Sequence, residues 1–158
     1  SEPLGDVDVG RVVDVVLELL GPKIAEAQVD VRWDGADEVI VRGGDVRLQQ
    51  VVLNLASNGI DAMELSDPRV LTITVAADAT RVTLSVRDTG PGITEPEKIF
   101  DPFYSTKAIG AAEGMGLGLS ISYGLVQSFG GVIRGRNHDA GGAIFTVELI
   151  PAAADKAV

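Results

Sequence analysis

Short segments in which apolar and polar residues alternate constrain the fold of this chain more than any other feature. Residues 71–75 (LTITV) and 82–86 (VTLSV) alternate strictly, as neighbouring half-buried strands do. Residues 29–33 alternate in the same way, and 143–149 is also predicted to be a strand. Shorter apolar runs at 39–41 and 132–133 add two more predicted strands. Together with three helical segments, they predict an α/β (α+β) two-layer sandwich, with one mixed sheet and helices on one face.

Three segments have the spacing of amphipathic helices, and they are predicted over residues 9–24, 45–64 and 116–128. Asp8 is expected to cap the first helix, and Gly21–Pro22 to kink or split it. Asp45 is expected to cap the second helix. Gly130 and Gly131 close the third, since glycine is the usual residue after a helix end.

Composition excludes several classes of function. The 158 residues carry a formal net charge of −10, which opposes binding to phosphate backbones. The absence of cysteine excludes disulfides, thiol nucleophiles and zinc sites built on cysteine. Residues 114–133 carry no charge, but six glycines and three serines make this a poor membrane span. We expect a single domain over 9–150, followed by a tail at 151–158.

The second predicted helix carries a polar stripe. Asn54, Asn58 and Asp61 stand at i, i+4 and i+7 and therefore share one side of the helix. A solvated polar face would give this pattern. Two amides and a carboxylate beside a buried face are also the oxygen ligands that suit Mg²⁺, so a metal site is the alternative.

Two glycine-rich segments and one lysine are further candidates for chemistry. Residues 88–93 (DTGPGI) follow a predicted strand, where Asp88 would present a carboxylate. Residues 114–119 (GMGLGL) open a helix, and backbone N–H groups at such a position attract anions. This segment matches neither a Walker A loop nor a dinucleotide fingerprint. Lys107 lies in the irregular stretch between them and could reach a terminal phosphate, whereas His138 is expected to be a surface residue.

Taken in order, these segments resemble the signature boxes of the catalytic, ATP-binding domain of sensor histidine kinases, in the gyrase–Hsp90–histidine kinase–MutL superfamily. Residues 48–58 (LQQVVLNLASN) are similar to the N box, and 88–93 to the G1 box. Residues 99–107 (IFDPFYSTK) are similar to the F box, 114–119 to the G2 box and 142–151 to the closing strand. The F box and compact lid most resemble the nitrogen-sensor and C4-dicarboxylate-sensor branches. The resemblance implies a Bergerat-type ATP-binding fold.

The resemblance also implies a role for individual residues. Asn58 would hold Mg²⁺, Asn54 would lie near the phosphates and the metal, and Asp88 would accept the adenine amino group. Asn54 and Lys107 would be catalytic, with Lys107 near the γ-phosphate and Phe103 packing a lid over 93–113. The implied ATP-binding positions are Asn54, Asn58, Asp61, Asp88, Gly90, Gly92, Ile93, Phe103, Thr106, Lys107, Gly114, Met115, Gly116, Leu117, Gly118, Leu119 and Thr146.

Two positions distinguish this chain within the superfamily. Hydrolases of the superfamily carry a glutamate at the position of Asn54, where it activates water. An amide cannot accept that proton, so the chain lacks this general base. Gly59 stands where an alanine is usual, which should weaken the helix by up to about 1 kcal/mol.

The resemblance implies a protein-histidine kinase domain that binds Mg·ATP for transfer of the γ-phosphoryl group to a histidine on a separate dimerisation domain. Residues 1–8 would be the end of a linker from that domain, and a response regulator would act downstream. The implied location is cytoplasmic, as part of a membrane-bound bacterial sensor, with no membrane or nucleic-acid contact by this domain. Two alternatives are an anti-sigma-factor-type serine kinase of the same fold and a degenerate domain that only binds a partner.

Overall fold

A computed structural model describes residues 3–35, 37–99 and 115–152 of the chain. The elements in chain order are β1 (Gly5–Asp8), α1 (Val9–Leu19), α2 (Gly21–Ala27), β2 (Asp30–Arg32), β3 (Ile40–Gly43), α3 (Asp45–Ala62), β4 (Val70–Ala77), β5 (Val82–Arg87), a single 3-10 turn (Pro96–Lys98), α4 (Met115–Ser128), β6 (Val132–Asn137) and β7 (Ala143–Leu149).

The main sheet has five strands in the order β2-β4-β5-β7-β6, and β1 pairs with β3 in a separate two-stranded sheet. β2 runs parallel to β4, whereas the other neighbours in the main sheet are antiparallel. The main sheet is therefore mixed, as the sequence predicts, whereas the strand predicted at 39–41 belongs to the second sheet and not to the main one. Its register places Ser85 opposite Thr146 and Val86 opposite Phe145 in the centre of the sheet.

Within the described residues, one face of the main sheet is buried and the other is partly exposed. Along β7, Ala143, Phe145, Val147 and Leu149 are buried, and the residues between them are partly exposed. The helices α3 and α4 pack on the buried side, and α1 packs against α3. This arrangement confirms the predicted two-layer sandwich, because strands with one apolar face can be covered from one side only.

The helix boundaries follow the sequence signals with one exception. The Asp8 carboxylate accepts a hydrogen bond from the N–H of Arg11 at 3.2 Å, and α2 begins at Gly21, so the predicted cap and split are confirmed. The prediction that Asp45 caps the second helix was wrong. Gly44 is the cap residue because its backbone is extended, at φ −123° and ψ 131°, whereas Asp45 already lies in the first helical turn.

Both flanks of the predicted domain pair with β3. Gly5–Asp8, within the segment expected to be a linker, forms an antiparallel pair with β3. Pro151, in the expected tail, bridges to Val41, and the N–H of Arg42 donates to the carbonyl of Ile150 at 2.8 Å. Neither segment is long enough to show a periodic pattern, so these pairings could not be predicted from the sequence.

None of the helices in the described parts of the chain is long and apolar enough to cross a membrane.

The turn between β6 and β7 packs against the end of β5. The N–H of His138 donates to the carbonyl of Gly142, and the N–H of Gly141 donates to the carbonyl of His138, both at 2.9 Å. Gly141 and Gly142 have φ values of +99° and +82°. A Cβ atom on Gly142 would lie 2.0 Å from the carbonyl oxygen of Asp88, whereas one on Gly141 would meet open space.

These two glycines provide a matched pair for a stability test. We expect Gly141→Ala to lower the free energy of unfolding by about 1–2 kcal/mol, because it introduces backbone strain alone. Gly142→Ala adds a backbone clash to the same strain and should lower it by about 3 kcal/mol or more. Urea denaturation of both variants measures the difference. An equal decrease in the free energy of unfolding for both variants would mean that Gly142 is not in close contact with the backbone of Asp88.

Candidate functional site

Asp88 lies immediately after β5 and is only 4% exposed. Its Oδ1 atom accepts hydrogen bonds from the N–H of Gly90 at 2.8 Å and the N–H of Ala143 at 3.4 Å. The Asp88 N–H donates in turn to the carbonyl of Ala143 at 3.0 Å. Within the described residues, Oδ2 accepts no hydrogen bond. The carboxylate is therefore fixed through one oxygen and available through the other.

Burial raises the pKa of Asp88 above its ordinary value. The hydrogen bonds from Gly90 and Ala143 and the positive charge of Arg87 act in the opposite direction and favour the charged form. The side chain is thus a desolvated acceptor whose unbonded oxygen gains most from a hydrogen-bond donor supplied by a ligand.

A pocket opens beside this carboxylate. Its walls are mainly apolar, with Asp88 and Asn58 as the polar groups among them, and it is lined by Asn58, Gly59, Ala62, Asp88, Pro91, Gly92, Ile93, Leu119, Ala143 and Phe145. The Nδ2 atom of Asn58 is buried and has no partner among the described residues. Apolar walls with a few fixed polar groups are typical of a site for a small molecule or cofactor.

Gly59 lets α3 approach the sheet at this pocket. A Cβ atom there would lie 2.8 Å from Cδ1 of Leu71 and 3.5 Å from Cβ of Asp88. The glycine therefore costs helix propensity but fits a position where an added methyl group would force Leu71 to move.

The polar stripe on α3 divides among three different surroundings. Asn58 lines the pocket, while Asn54 faces α4. The Asn54 Nδ2 atom donates to the carbonyl of Gly118 and to Oγ of the fully buried Ser122, both at 3.1 Å. Asn54 thus joins α3 to the first turns of α4, whose N-terminal end carries the positive pole of the helix dipole.

Asp61, the third member of the stripe, forms an ion pair with Lys23 of α2 at 2.8 Å. The same ammonium group donates to Oγ of Ser57 at 2.8 Å. Asp61 also borders a wider depression of about 460 Å³, which Glu64 and Asp67 line as well. Lys23 therefore compensates one charge on the acidic side of the site.

The structure assembles many of the predicted site residues around one pocket. Asn58, Asp88, Gly92, Ile93 and Leu119 line it directly, Gly90 binds Asp88, and Asn54 contacts Gly118. Met115, Gly116 and Leu117 lie in the first turn of α4. The predicted positions Phe103, Thr106, Lys107 and Gly114 lie outside the described residues.

The prediction for Thr146 was wrong. Side chains alternate along a strand, and Ala143 and Phe145 are the β7 residues that line the pocket. Thr146 is therefore on the other face of the sheet, opposite Ser85. The alternation in the sequence already contained this information, since Phe145 and Thr146 cannot share a face.

Sequence reasoning also missed contacts made by residues far away along the chain. Lys23, Ser122 and Asn137 support the site, and they do so through distances of 34 to 68 residues along the sequence. No short pattern marks such residues, because each depends on how the elements pack.

An apolar pocket, a buried carboxylate acceptor and an adjoining helix N-terminus on a two-layer α/β fold define a nucleotide-binding domain. The family model for histidine kinase-, DNA gyrase B- and HSP90-like ATPases matches residues 43–153. The chain belongs to this family, as an ATP-binding catalytic domain of the sensor histidine kinase type.

Curated relatives agree with this assignment. The C4-dicarboxylate transport sensor protein DctB of Pseudomonas aeruginosa is 33% identical over 150 residues, covering 92% of this chain and 24% of DctB. The sensor histidine kinase ZraS of Escherichia coli is 31% identical over 146 residues, covering 90% of this chain and 30% of ZraS. The chain thus spans less than a third of either relative. The match to DctB confirms the predicted resemblance to the C4-dicarboxylate-sensor branch.

Solved structures share the fold over nearly the whole chain. The catalytic domain of the histidine kinase ThkA superposes with a TM-score of 0.81 at 30% identity, covering 94% of this chain and 96% of that domain. ThkA in complex with the response regulator protein TrrA gives a TM-score of 0.77 at 29% identity, covering 97% of this chain and 43% of the ThkA chain.

The raised pKa of Asp88 predicts a pH dependence of stability. A carboxyl group with a higher pKa in the folded than in the unfolded state contributes stability that is complete below its ordinary value of 3.8. This contribution is lost as the pH rises through the folded-state pKa. Because Asn has no proton to lose, we expect Asp88→Asn to gain stability relative to the wild type between acid pH and pH 7, as measured by urea denaturation.

Asp78 supplies the control with the opposite sign. Hydrogen bonds from Thr80 and Arg81 lower the pKa of this exposed carboxyl, so its contribution is present above 3.8 and lost as the pH falls through the folded-state pKa. Asp78→Asn should therefore lose stability relative to the wild type as the pH rises. The same slope for both variants would contradict the assigned environments.

Proposed function

We propose that this chain binds Mg·ATP and positions the γ-phosphoryl group for transfer to a histidine on a separate domain. The observation that carries the proposal is the Asp88 carboxylate, which is held by two backbone N–H groups through Oδ1 and borders an apolar pocket. The Oδ2 atom of this largely buried carboxylate accepts no hydrogen bond within the described residues, so it gains strongly from an exocyclic amino group, and adenine supplies one beside a flat ring.

The charges around the pocket favour one direction for the phosphates. On one side lies the depression lined by Asp61, Glu64 and Asp67, which repels anions. On the other side, Asn58 and Asn54 lead to Gly118 and the N-terminal end of α4. Backbone N–H groups and the helix dipole at that end stabilise phosphate oxygens, so the triphosphate would extend from Asp88 towards α4.

The side chains on this path fit a magnesium ion. Asn58 lies half-buried on this path. Its Nδ2 atom has no hydrogen-bond partner among the described residues, so the side-chain amide is available to a ligand. In the same residues no three acidic or histidine side chains gather into a metal cage, which suits an ion held by few protein ligands and by phosphate oxygens. Bound Mg²⁺ would supply neutralisation of the charge on those oxygens.

Asn54 favours transfer over hydrolysis. Its Nδ2 group donates to the carbonyl of Gly118, an arrangement that a carboxylate could not keep. An amide in this place holds α4 and cannot remove a proton from water. The work of the chain would therefore be to bind and orient ATP, with Lys107 as the proposed contact of the γ-phosphate.

The acceptor histidine would come from outside this domain. The only histidine, His138, accepts a hydrogen bond from the N–H of Ala140 through Nδ1 at 3.0 Å and belongs to the β6–β7 turn. A response regulator would receive the phosphoryl group next, as the solved complex of ThkA with TrrA suggests by its composition. The proposed setting is the cytoplasmic portion of a membrane-bound sensor, as the family resemblance implies.

Titration calorimetry with Mg·ATP tests the proposal, with phosphate release measured on the same sample. We expect binding without appreciable release, because no general base stands at the position of Asn54. Asp88→Asn should weaken binding by about 100-fold or more, since it exchanges the buried carboxylate acceptor for an amide, worth about 3 kcal/mol.

Asn54→Asp is the companion variant. It replaces the donor to the carbonyl of Gly118 with a carboxylate, so we expect weaker Mg·ATP binding. Brisk release by the wild-type chain would contradict the kinase assignment. Absence of binding by the wild type would favour a degenerate domain that only binds a partner.

A further inference from the structure

Asn137, the last residue of β6, binds both backbone groups of a single residue on another segment. Its Oδ1 atom accepts a hydrogen bond from the N–H of Ile93 at 2.6 Å. Its Nδ2 atom donates to the carbonyl of Ile93 at 3.0 Å. The two residues are 44 positions apart, and the side-chain amide pairs with the backbone as a neighbouring strand would.

The backbone around Ile93 is shaped to receive this amide. Gly92 has a φ of +94°, and a Cβ atom there would lie 2.7 Å from Oδ1 of Asn137. The side chain of Ile93 is 7% exposed and lines the same pocket as Asp88. The amide of Asn137 therefore fixes the backbone of a residue that forms a wall of the pocket.

A second contact fixes the same segment six residues further on. Ile99 is fully buried and packs over Gly135 of β6, where a Cβ atom would lie 2.5 Å from its Cδ1 atom. That Cβ would also lie 2.7 Å from Cε2 of Phe145, another residue of the pocket wall. Residues 93–99 are thus attached to β6 at both ends, by an amide pair at Asn137 and by apolar packing at Gly135.

We propose that Asn137 is a positioning residue for nucleotide binding, which holds the Ile93 wall of the base pocket in place through two hydrogen bonds. This inference rests on the proposed function. A wall that is already ordered costs less conformational entropy when a ligand binds. Because Ile93 lines the pocket beside Asp88, the effect concerns the base and is the same for ADP and ATP.

Asn137→Leu removes both hydrogen bonds at similar volume, and Asn137→Asp keeps the acceptor but turns a second oxygen towards the carbonyl of Ile93. Arg136→Ala is the matched control, because Arg136 is exposed, as Asn137 is, and lies next to it on the same strand with its side chain on the opposite face. Two measurements are made on each variant: calorimetric affinity for Mg·ADP and Mg·ATP, and hydrogen exchange of the Ile93 amide by NMR.

For Asn137→Leu we expect Kd to rise by about tenfold for both nucleotides, and exchange at Ile93 to accelerate by about tenfold or more. Asn137→Asp should lose affinity for both nucleotides while the Ile93 amide stays protected from hydrogen exchange. This variant therefore tests the proposal if Asn137→Leu fails to fold. Arg136→Ala should stay within about twofold of the wild type in both measurements.

The outcomes separate the two proposals. If the wild type binds nucleotide and the Asn137 variants bind equally well, the positioning role is overturned and the proposed function stands. Unchanged exchange at Ile93 in Asn137→Leu overturns the role as well, since the amide pair would then carry no protection. If the wild type binds neither nucleotide, the proposed function fails and the positioning role fails with it.

Discussion

The site depends on one buried carboxylate that the fold holds without neutralising it. Asp88 receives two backbone N–H groups, one from the residue two positions later and one from β7, 55 positions away. These donors come from the G1 segment and from the closing strand, so the carboxylate is in place only when both have folded against β5. Its burial is unfavourable by itself, as the raised pKa indicates. Burial of this carboxylate thus lowers the stability of the fold and leaves a hydrogen-bond acceptor available to a ligand.

Around this carboxylate, α3 distributes the members of its polar stripe among three partners. Asn58 faces the pocket, Asn54 binds the first turns of α4, and Asp61 binds Lys23 of α2. A single helix therefore sets the distance between the pocket beside Asp88 and the N-terminal end of α4. Gly59 brings that helix close to the sheet, which explains a glycine at a position where helix propensity alone favours alanine.

Much of this arrangement can be predicted from the sequence, and what cannot has a physical reason. Alternation and helical spacing predict the sheet and the helices, because burial on one face dictates both patterns. Asp88, Gly92 and Asn58 were recognisable from local motifs that lie in the pocket. Thr146 was predicted to be an ATP-binding position, although the strand pattern places it on the opposite face from Phe145. The pairing of Gly5–Asp8 with β3 and the support from Asn137 arise from backbone and side-chain contacts across long separations, which no local pattern records.

The pairing of β3 on both sides has a mechanical consequence. Val41 lies between Val7 of β1 and Pro151, so two segments nearly the whole chain apart in sequence flank a single residue. Neighbouring strands are about 4.8 Å apart, which puts these two segments at roughly 10 Å from each other. Tension applied between these two segments therefore acts first on their pairings with β3.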